Sequence, residues 1–202
     1  GVISKKKGSL DIGSNMDMLR VIKEGGSLLF FPEGNRTYAE FQYAMTPGFA
    51  KFMRYLKKPI ICYNIHGGTG CYPRWHSSKR KGKFYGEVKR IISLEEIEKM
   101  SDQELEQTIL NEIRVFDSES GELFKTKTKA ENLERMLFVC PKCGSIETLS
   151  SKGDHFRCSK CGLDVVYNEN LTFSSEDKAF EFKKIVDWYN YQIRFIKDYK
   201  VT

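Results

Sequence analysis

Four cysteines near the end of the chain constrain its fold more than any other feature. Cys140 and Cys143 form one CxxCG pair, and Cys158 and Cys161 form a second pair after fourteen intervening residues. Two such pairs can close a tetrahedron of thiolates around one Zn²⁺, and the glycine after each pair lets the backbone turn back toward the sulfurs. Four protein ligands leave no open position for a substrate. The spacing therefore predicts a structural zinc ribbon over residues 136–171, with zinc as its cofactor.

Two disulfides are the alternative for these cysteines. Disulfides persist in oxidising compartments, and the first residues lack the charged and then apolar pattern of an export signal. A reducing compartment favours zinc. We interpret His155, inside the ribbon, as a bystander. We interpret Cys62 and Cys71 as buried small residues, because neither has a recognisable activating partner.

Length and charge limit the possible functions. The chain has 202 residues, 40% of them hydrophobic, so it is long enough to bury a core. No apolar run approaches the ~20 residues that span a bilayer. The net charge of +6 makes phosphate, anionic lipid and nucleic acid plausible partners without choosing among them. Because Gly1 opens what already looks like ordered sequence, we expect an N-terminal truncation.

The first half alternates helical and strand patterns. Residues 14–24 predict a helix, residues 27–31 a buried strand, and residues 59–65 a second buried strand. Between the strands, Thr46 as cap and Pro47 at the first helical position predict another helix start. This rhythm is typical of an α/β fold, in which crossover helices join parallel strands into a sheet flanked by helices.

The later segments predict smaller elements. They are a strand over residues 85–92, helices beginning at the capping boxes Ser93-x-x-Glu96 and Ser101-x-x-Glu104, a linker over residues 117–135, and an amphipathic C-terminal helix within residues 172–202. We expect that last helix, over residues 175–199, to pack against the domain formed by residues 1–116; the alternative is that it lies in lipid.

The octapeptide "FFPEGNRT" ends the apolar run of residues 28–31. A turn at the carboxyl end of a strand in an open α/β sheet is where ligands bind. Arg36 can give paired, charge-assisted hydrogen bonds to phosphoryl oxygens, and Glu33 can orient it or accept from a hydroxyl. Gly34 allows close approach of the backbone. The alternative is a structural salt bridge between Glu33 and Arg36.

This octapeptide resembles the FPEG(T/N)R(S/T) motif of the glycerolipid acyltransferases, specifically the 1-acyl-sn-glycerol-3-phosphate (lysophosphatidate) acyltransferases. "TPGFAKFMRYLKKP" and "KPIICYNI" resemble further blocks of that family, and the ribbon followed by an aromatic helix resembles a bacterial subset of such acyltransferases with a C-terminal zinc ribbon. The resemblance implies that residues 1–116 are an acyltransferase domain in which Glu33, Gly34 and Arg36 bind glycerol phosphate. Lys5 stands near the place of an upstream family arginine.

The family's catalytic base is the histidine of HxxxxD, and this chain has no such motif. The residues five positions after His66, His76 and His155 are Cys71, Lys81 and Lys160. We therefore expect this chain to bind the acceptor without turning it over, and an upstream segment to supply the motif. His66 is a conceivable substitute base, but a histidine that ends a strand is more often structural.

The basic and aromatic stretch over residues 67–83 suits a membrane surface, the phosphates of coenzyme A or an acidic acyl carrier protein. A solvated basic loop is the alternative. The resemblance implies lysophosphatidate as acceptor, acyl-CoA or acyl carrier protein as donor, and a cytoplasmic protein peripherally bound to the inner face of the membrane.

A nucleic-acid-binding zinc-ribbon protein is the second function class. It gives no reason for Glu33 beside Arg36. The ribbon is also not unusually basic, because acidic residues offset its cations: Lys142, Lys152, Arg157 and Lys160 against Glu147, Asp154 and Asp164. The sequence therefore favours the acyltransferase.

Overall fold

The structure is a computed structural model that describes residues 1–4 and 11–199, so Lys5 lies outside the described residues. The first half contains α1 (Ile12–Lys23), α2 (Phe49–Leu56), β1 (Ile60–His66), the single turn α3 (Gly68–Cys71), β2 (Tyr85–Ile92), α4 (Leu94–Lys99) and α5 (Asp102–Glu112). The second half contains β3 (Leu149–Lys152), β4 (His155–Cys158), β5 (Asp164–Tyr167), β6 (Phe173–Ser174) and α6 (Ile185–Asp198).

The strands β1 and β2 pair antiparallel. The parallel pairing predicted between residues 27–31 and 59–65 does not form among the described residues. Ile60 lies opposite Ile92, and His66 lies opposite Tyr85. Parallel neighbours need a crossover, usually a helix, whereas the connection between β1 and β2 contains only the one turn α3. The chain therefore returns along β1 in the opposite direction. The fold is mixed helix and sheet, without an acyltransferase-type parallel sheet among these residues.

Residues 27–31 do not form the predicted buried strand. They have no regular secondary structure, and Leu29 and Phe31 are 78% and 68% exposed. A strand requires a neighbour to accept and donate its backbone hydrogen bonds, and no described strand lies beside this segment. Phe30 is less exposed than Leu29 and Phe31, because its ring packs edge-on against Phe49 and Phe52 of α2.

The first half has a small core between its helices and its two-stranded sheet. Its buried members are Met45, Ala50, Cys62, Ile92, Ile97, Leu105 and Ile109. Both predicted capping boxes, at Ser93 and at Ser101, are present. The helix α2 begins after Gly48, which has φ +80°, and so starts two residues later than the predicted position of Pro47.

The second half is an antiparallel sheet in the order β3-β4-β5-β6. The helix α6 begins at Ile185, ten residues later than predicted, and packs on the ribbon and, through Tyr189, on Phe41 of the first half. Trp188 is fully buried and donates from Nε1 to the carbonyl of Val139 at 2.9 Å. Gln192, also buried, donates to the carbonyl of Met136 at 2.6 Å. These bonds fix the helix to the strand-like segment that leads into the zinc site.

The segment over residues 117–135, predicted as a linker, is packed against both halves. It contains two single 3-10 turns, Asp117–Glu119 and Leu133–Arg135. Phe124 is 1% exposed, and its backbone N–H donates to the carbonyl of Glu169 at 2.8 Å. The larger hydrophobic core accordingly combines ribbon side chains with Ala39, Cys71, Trp75 and Phe124.

Candidate metal centre and ligand cavities

The four ribbon cysteines converge on one point. Their Sγ atoms all lie within 4.8 Å of one another, with 3.6 Å between Cys140 and Cys161 and 3.8 Å between Cys143 and Cys158. A Zn–S bond of about 2.3 Å sets the edges of a tetrahedral site to about 3.8 Å. All the cysteines are free thiols, so the disulfide alternative is wrong. The cysteines fit a closed structural zinc site, as the spacing predicts.

Two tight turns create that geometry. Gly144 and Gly162, which follow the two pairs, have φ of +66° and +73°. Side chains with a Cβ rarely adopt this conformation, so glycine is required for the backbone to turn back. The N–H of Gly144 donates to the carbonyl of Cys140 at 2.9 Å, and that of Gly162 to Cys158 at 3.1 Å. The turns place both thiolates of each pair on the same side.

The ribbon histidine and the two remaining thiols are not ligands. His155 pairs with Asp164 at 2.9 Å. Cys62 and Cys71 are 1% and 3% exposed, and burial raises the pKa of the Cys62 thiol to about 11 and that of Cys71 above its ordinary value. Both thiols are protonated at neutral pH, which agrees with their interpretation as buried small residues.

The FPEG segment forms a hydrogen-bonded turn. The N–H of Gly34 donates to the carbonyl of Phe31 at 2.9 Å, with Pro32 in the second position, where its fixed φ is favourable. Thr46 ties the turn to the start of α2, because its N–H and its hydroxyl both donate to the carbonyl of Pro32 at 3.0 Å. Gly34 itself has φ +64°.

Glu33 and Arg36 do not pair with each other. The Glu33 carboxylate accepts from the backbone N–H of Tyr43 at 2.9 Å, and Arg36 donates from Nη2 to the carbonyl of Tyr72 at 2.6 Å. No Glu33–Arg36 ion pair occurs, although both residues are described. The salt-bridge alternative is therefore wrong in this structure. Arg36 remains exposed at the surface.

A largely apolar cavity of about 700 Å³ adjoins this turn. Its wall includes Leu28, Leu29, Phe30, Phe31, Met53, Leu56, Ile61, Tyr63, Ile65, Ile109 and Ile113. Glu33 and Arg36 line the same cavity. The exposed face of β1 thus continues into the FPEG turn as one surface, apolar over most of its area and charged at the turn.

Asp117, at the start of the segment predicted as a linker, accepts three backbone hydrogen bonds from the first half. It is 3% exposed and accepts from the backbone N–H groups of Gly67 at 2.7 Å, Thr69 at 2.8 Å and Gly70 at 2.9 Å. Gly67 has φ +77°, and a Cβ there would lie 2.1 Å from the carbonyl oxygen of Lys83. The clustered glycines of "GGTG" are the sequence signal for such a carboxylate site.

His66 does not face the FPEG turn. Its Nε2 lies 3.0 Å from Glu87, and its ring stacks on Tyr85 with centroids 4.6 Å apart. Two residues of the predicted basic surface do not lie at the surface: Trp75 and Arg80 are only 1% and 4% exposed. These two belong to the packing between the halves, whereas Lys79, Lys81, Lys83 and Arg74 remain exposed.

Comparison with known proteins identifies the ribbon alone. A family described as "DNA directed RNA polymerase, 7 kDa subunit", of the zinc-ribbon type, matches residues 133–170. This match and the four-cysteine geometry agree on the same segment. A search of curated proteins and a search of solved structures found no significant match. Within residues 1–4 and 11–199, no helix is long and apolar enough to cross a membrane.

Proposed function

We propose that residues 1–116 form the acceptor-binding part of a glycerolipid acyltransferase of the lysophosphatidate type. One observation carries the proposal beyond the motif: Glu33 and Arg36 line the same cavity as a broad apolar wall. An acceptor with a phosphate head and an acyl chain needs both surfaces next to each other. The hydrogen bond to the Tyr72 carbonyl orients the Arg36 guanidinium and uses only one of its five N–H donors.

The proposal assigns binding and no proton transfer to this chain. In this class of reaction an acceptor hydroxyl attacks an acyl thioester, and a histidine removes the hydroxyl proton. The HxxxxD motif that provides this base in the family does not occur in the 202 residues. The donor would be acyl-CoA or acyl carrier protein, and the site of action the inner face of a membrane. Zinc would keep the ribbon folded and take no part in the transfer.

Arg36→Lys tests the phosphate assignment. Lysine keeps the charge but loses the planar fork, so a bound phosphate loses a paired contact. We expect a short-chain lysophosphatidate, titrated below its aggregation concentration, to bind the variant roughly 5- to 150-fold more weakly, which corresponds to about 1–3 kcal/mol. Calorimetry measures the affinity, and chemical denaturation checks that the variant is folded.

Arg20→Lys is the matched control, because Arg20 is exposed on α1, pairs with Asp17 and does not line the cavity. Its affinity should equal that of the wild type. Glycerol 3-phosphate, which lacks the acyl chain, should bind much more weakly than the lysophosphatidate because the apolar wall then contributes nothing. Equal affinities for the Arg36 and Arg20 variants would reject the acceptor site.

A nucleic-acid-binding role is the second candidate, and the ribbon match to a polymerase subunit family is the observation that favours it. Ion pairs within the chain count against this role, because Lys142 pairs with Asp177 at 2.7 Å and Arg157 pairs with Asp164 at 2.8 Å. Nucleic-acid affinity should fall steeply with salt if several cations contact phosphates. Fluorescence anisotropy with DNA and RNA oligonucleotides at two salt concentrations measures this dependence.

A further inference from the structure

A second cavity, of about 290 Å³, lies on the other face of β1. The side chains of a strand point alternately to its two faces. Ile61, Tyr63 and Ile65 line the apolar cavity together with Cys62, whereas Asn64 and His66 line the second one. Arg114, Val115 and Asp117 border both cavities. Its opposite wall comes from the segment over residues 114–124. We call this second space the polar cavity.

Asn64 is the strongest sign that the polar cavity receives a ligand. Its side chain is 3% exposed, and its Oδ1 atom has no hydrogen-bond partner. A buried acceptor without a donor costs about 1–3 kcal/mol, so such atoms are rare unless something else donates to them. Asn64 lies opposite Glu87 in the strand register, beside the His66–Glu87 pair. A ligand that carries an N–H or O–H donor would satisfy this oxygen.

Two cations of the polar cavity are available to an anionic ligand. Its acidic side chains are already engaged: Glu87 with His66, Glu119 with Lys184, Glu122 with Lys83, and Asp117 with backbone amides. Lys89 and Arg114 also line the cavity, and neither has an ion-pair partner among the described residues. Lys89 and Arg114 are therefore the two cations of this cavity that can pair with an anionic group of a ligand. A guanidinium and an ammonium together suit phosphoryl oxygens.

We infer that the polar cavity binds a small phosphate ester that also carries hydroxyl groups. The phosphate contacts Lys89 and Arg114, and a hydroxyl donates to Asn64 Oδ1. His66 is held by Glu87 and by its stacking on Tyr85, so it forms a fixed part of the wall. The volume suits a molecule the size of a sugar phosphate and is too small for a lipid. This inference does not depend on the acyltransferase proposal, because Arg36 and Glu33 line only the other cavity and Lys89 lines only this one, whereas Arg114 borders both.

The test uses ribose 5-phosphate as the probe on the full zinc-loaded chain. Calorimetry measures affinity, and NMR follows the ring proton of His66 and the amides around it. We expect saturable binding, with ribose and inorganic phosphate each at least about tenfold weaker, because one lacks the anion and the other lacks the sugar hydroxyls. Lys89→Gln and Arg114→Gln should each weaken binding at least about tenfold. Both side chains are exposed, so the variants should fold.

Two controls locate the binding. Lys51→Gln removes an exposed lysine that lines neither cavity, and Arg36→Lys changes only the apolar one; both should bind ribose 5-phosphate like the wild type. No saturable binding at millimolar probe, or binding unaffected by both Lys89→Gln and Arg114→Gln, would overturn the inference. Loss of binding in Arg36→Lys would also overturn it. Inorganic phosphate that binds as well as the ester would exclude the contact with Asn64.

Discussion

The zinc ribbon and the first half of the chain differ in how completely they bury their apolar residues. In the ribbon, Trp188, Leu163 and Val165 are at most 1% exposed. In the first half, Leu29 and Ile61 are 78% and 59% exposed. A metal site fixes four chain positions locally and allows a small sheet to close around them. A two-stranded sheet has no such constraint, and its outer face stays open beside the apolar cavity.

The two regions nevertheless share the larger core. The ring of Phe41, just after the FPEG turn, stacks on Tyr189 of α6 with centroids 4.9 Å apart. Arg80 lies over the rings of both Trp75 and Tyr167. Loops of the first half therefore contribute side chains to the core of the ribbon. Residues 38–41, which follow the FPEG turn in the chain, thus pack against the core that contains the ribbon and α6.

Removal of zinc should separate the two regions most clearly, and its effect on stability should exceed that of any substitution away from the metal site. We expect Cys158→Ser, or a chelator, to unfold residues 133–199 and also to expose residues 38–41 and 71–80, while the small core around Leu105 stays folded. Structural zinc contributes on the order of 10 kcal/mol to such domains. Hydrogen exchange measures the spread of the loss, and elemental analysis measures zinc, expected at one ion per chain.

Cys62→Ser is the matched control, because Cys62 is a buried thiol of the small core and not a ligand. It should leave the zinc content unchanged. If residues 38–41 kept their protection after zinc was lost, the two regions would be independent. Absence of stoichiometric zinc in protein purified under reducing conditions would reject the metal site itself.

Asp117→Asn tests the hydrogen bonds that fix the segment between the two regions to the first half. The carboxylate accepts three backbone N–H bonds, whereas an amide has one oxygen and turns its own donors toward the remaining N–H groups. We expect a loss of about 2–3 kcal/mol in the free energy of unfolding, the scale of a lost hydrogen bond to a charged group. Chemical denaturation measures it.

Asp17→Asn serves as the comparison for this loss. Asp17 is exposed on α1 and pairs with the exposed Arg20, so its replacement should change stability by no more than about 0.5 kcal/mol. Equal effects of the two substitutions would show that the three amides around Asp117 find other partners. Protection of the amides of Gly67 and Gly70 in hydrogen exchange distinguishes these outcomes residue by residue.

The sequence correctly predicted features that depend on residues close together in the chain. The capping boxes at Ser93 and Ser101 depend on neighbours three positions away, and each cysteine pair of the zinc site has its own short spacing; both predictions are confirmed. The strand over residues 85–92 is also confirmed, with β1 as its partner. The resemblance to acyltransferases concerns residues 1–116. Neither the comparisons nor the fold test its activity, which stays a prediction.

The features that the sequence did not predict depend on contacts between residues that are far apart in the chain. An apolar run such as residues 28–31 has the composition of a buried strand whether or not a partner strand exists, and the pattern alone cannot supply the partner. The direction of β1 and β2 depended on the absence of a crossover helix between them. Trp75 and Arg80 looked like surface residues because basic neighbours surround them, and their contacts with Tyr167, far along the chain, are invisible in that local pattern.

Glu40 offers the smallest and most specific test, because it lies where the two regions meet. Its backbone has φ +57°, and its carboxylate accepts from the N–H of Ser118 at 3.1 Å. Burial raises the pKa of Glu40 above its ordinary value, and the hydrogen bonds of Ser118 lower it by less; the nearby charge of Asp117 also raises it. Tyr167, whose own pKa burial raises, faces Glu40 from the ribbon side.

The sign of the pH dependence follows from this direction. Because the folded pKa lies above the unfolded one, the native state binds more protons, and stability falls as pH rises from the ordinary glutamate value through the raised folded pKa. Glu40→Gln keeps an oxygen for Ser118 and removes that fall. We expect equal melting temperatures for variant and wild type near pH 4 and a higher one for the variant at pH 7, with Glu95→Gln, exposed on α4, as control. A variant with the same advantage at both pH values would mean that the charge of Glu40 is not what makes this contact between the regions costly.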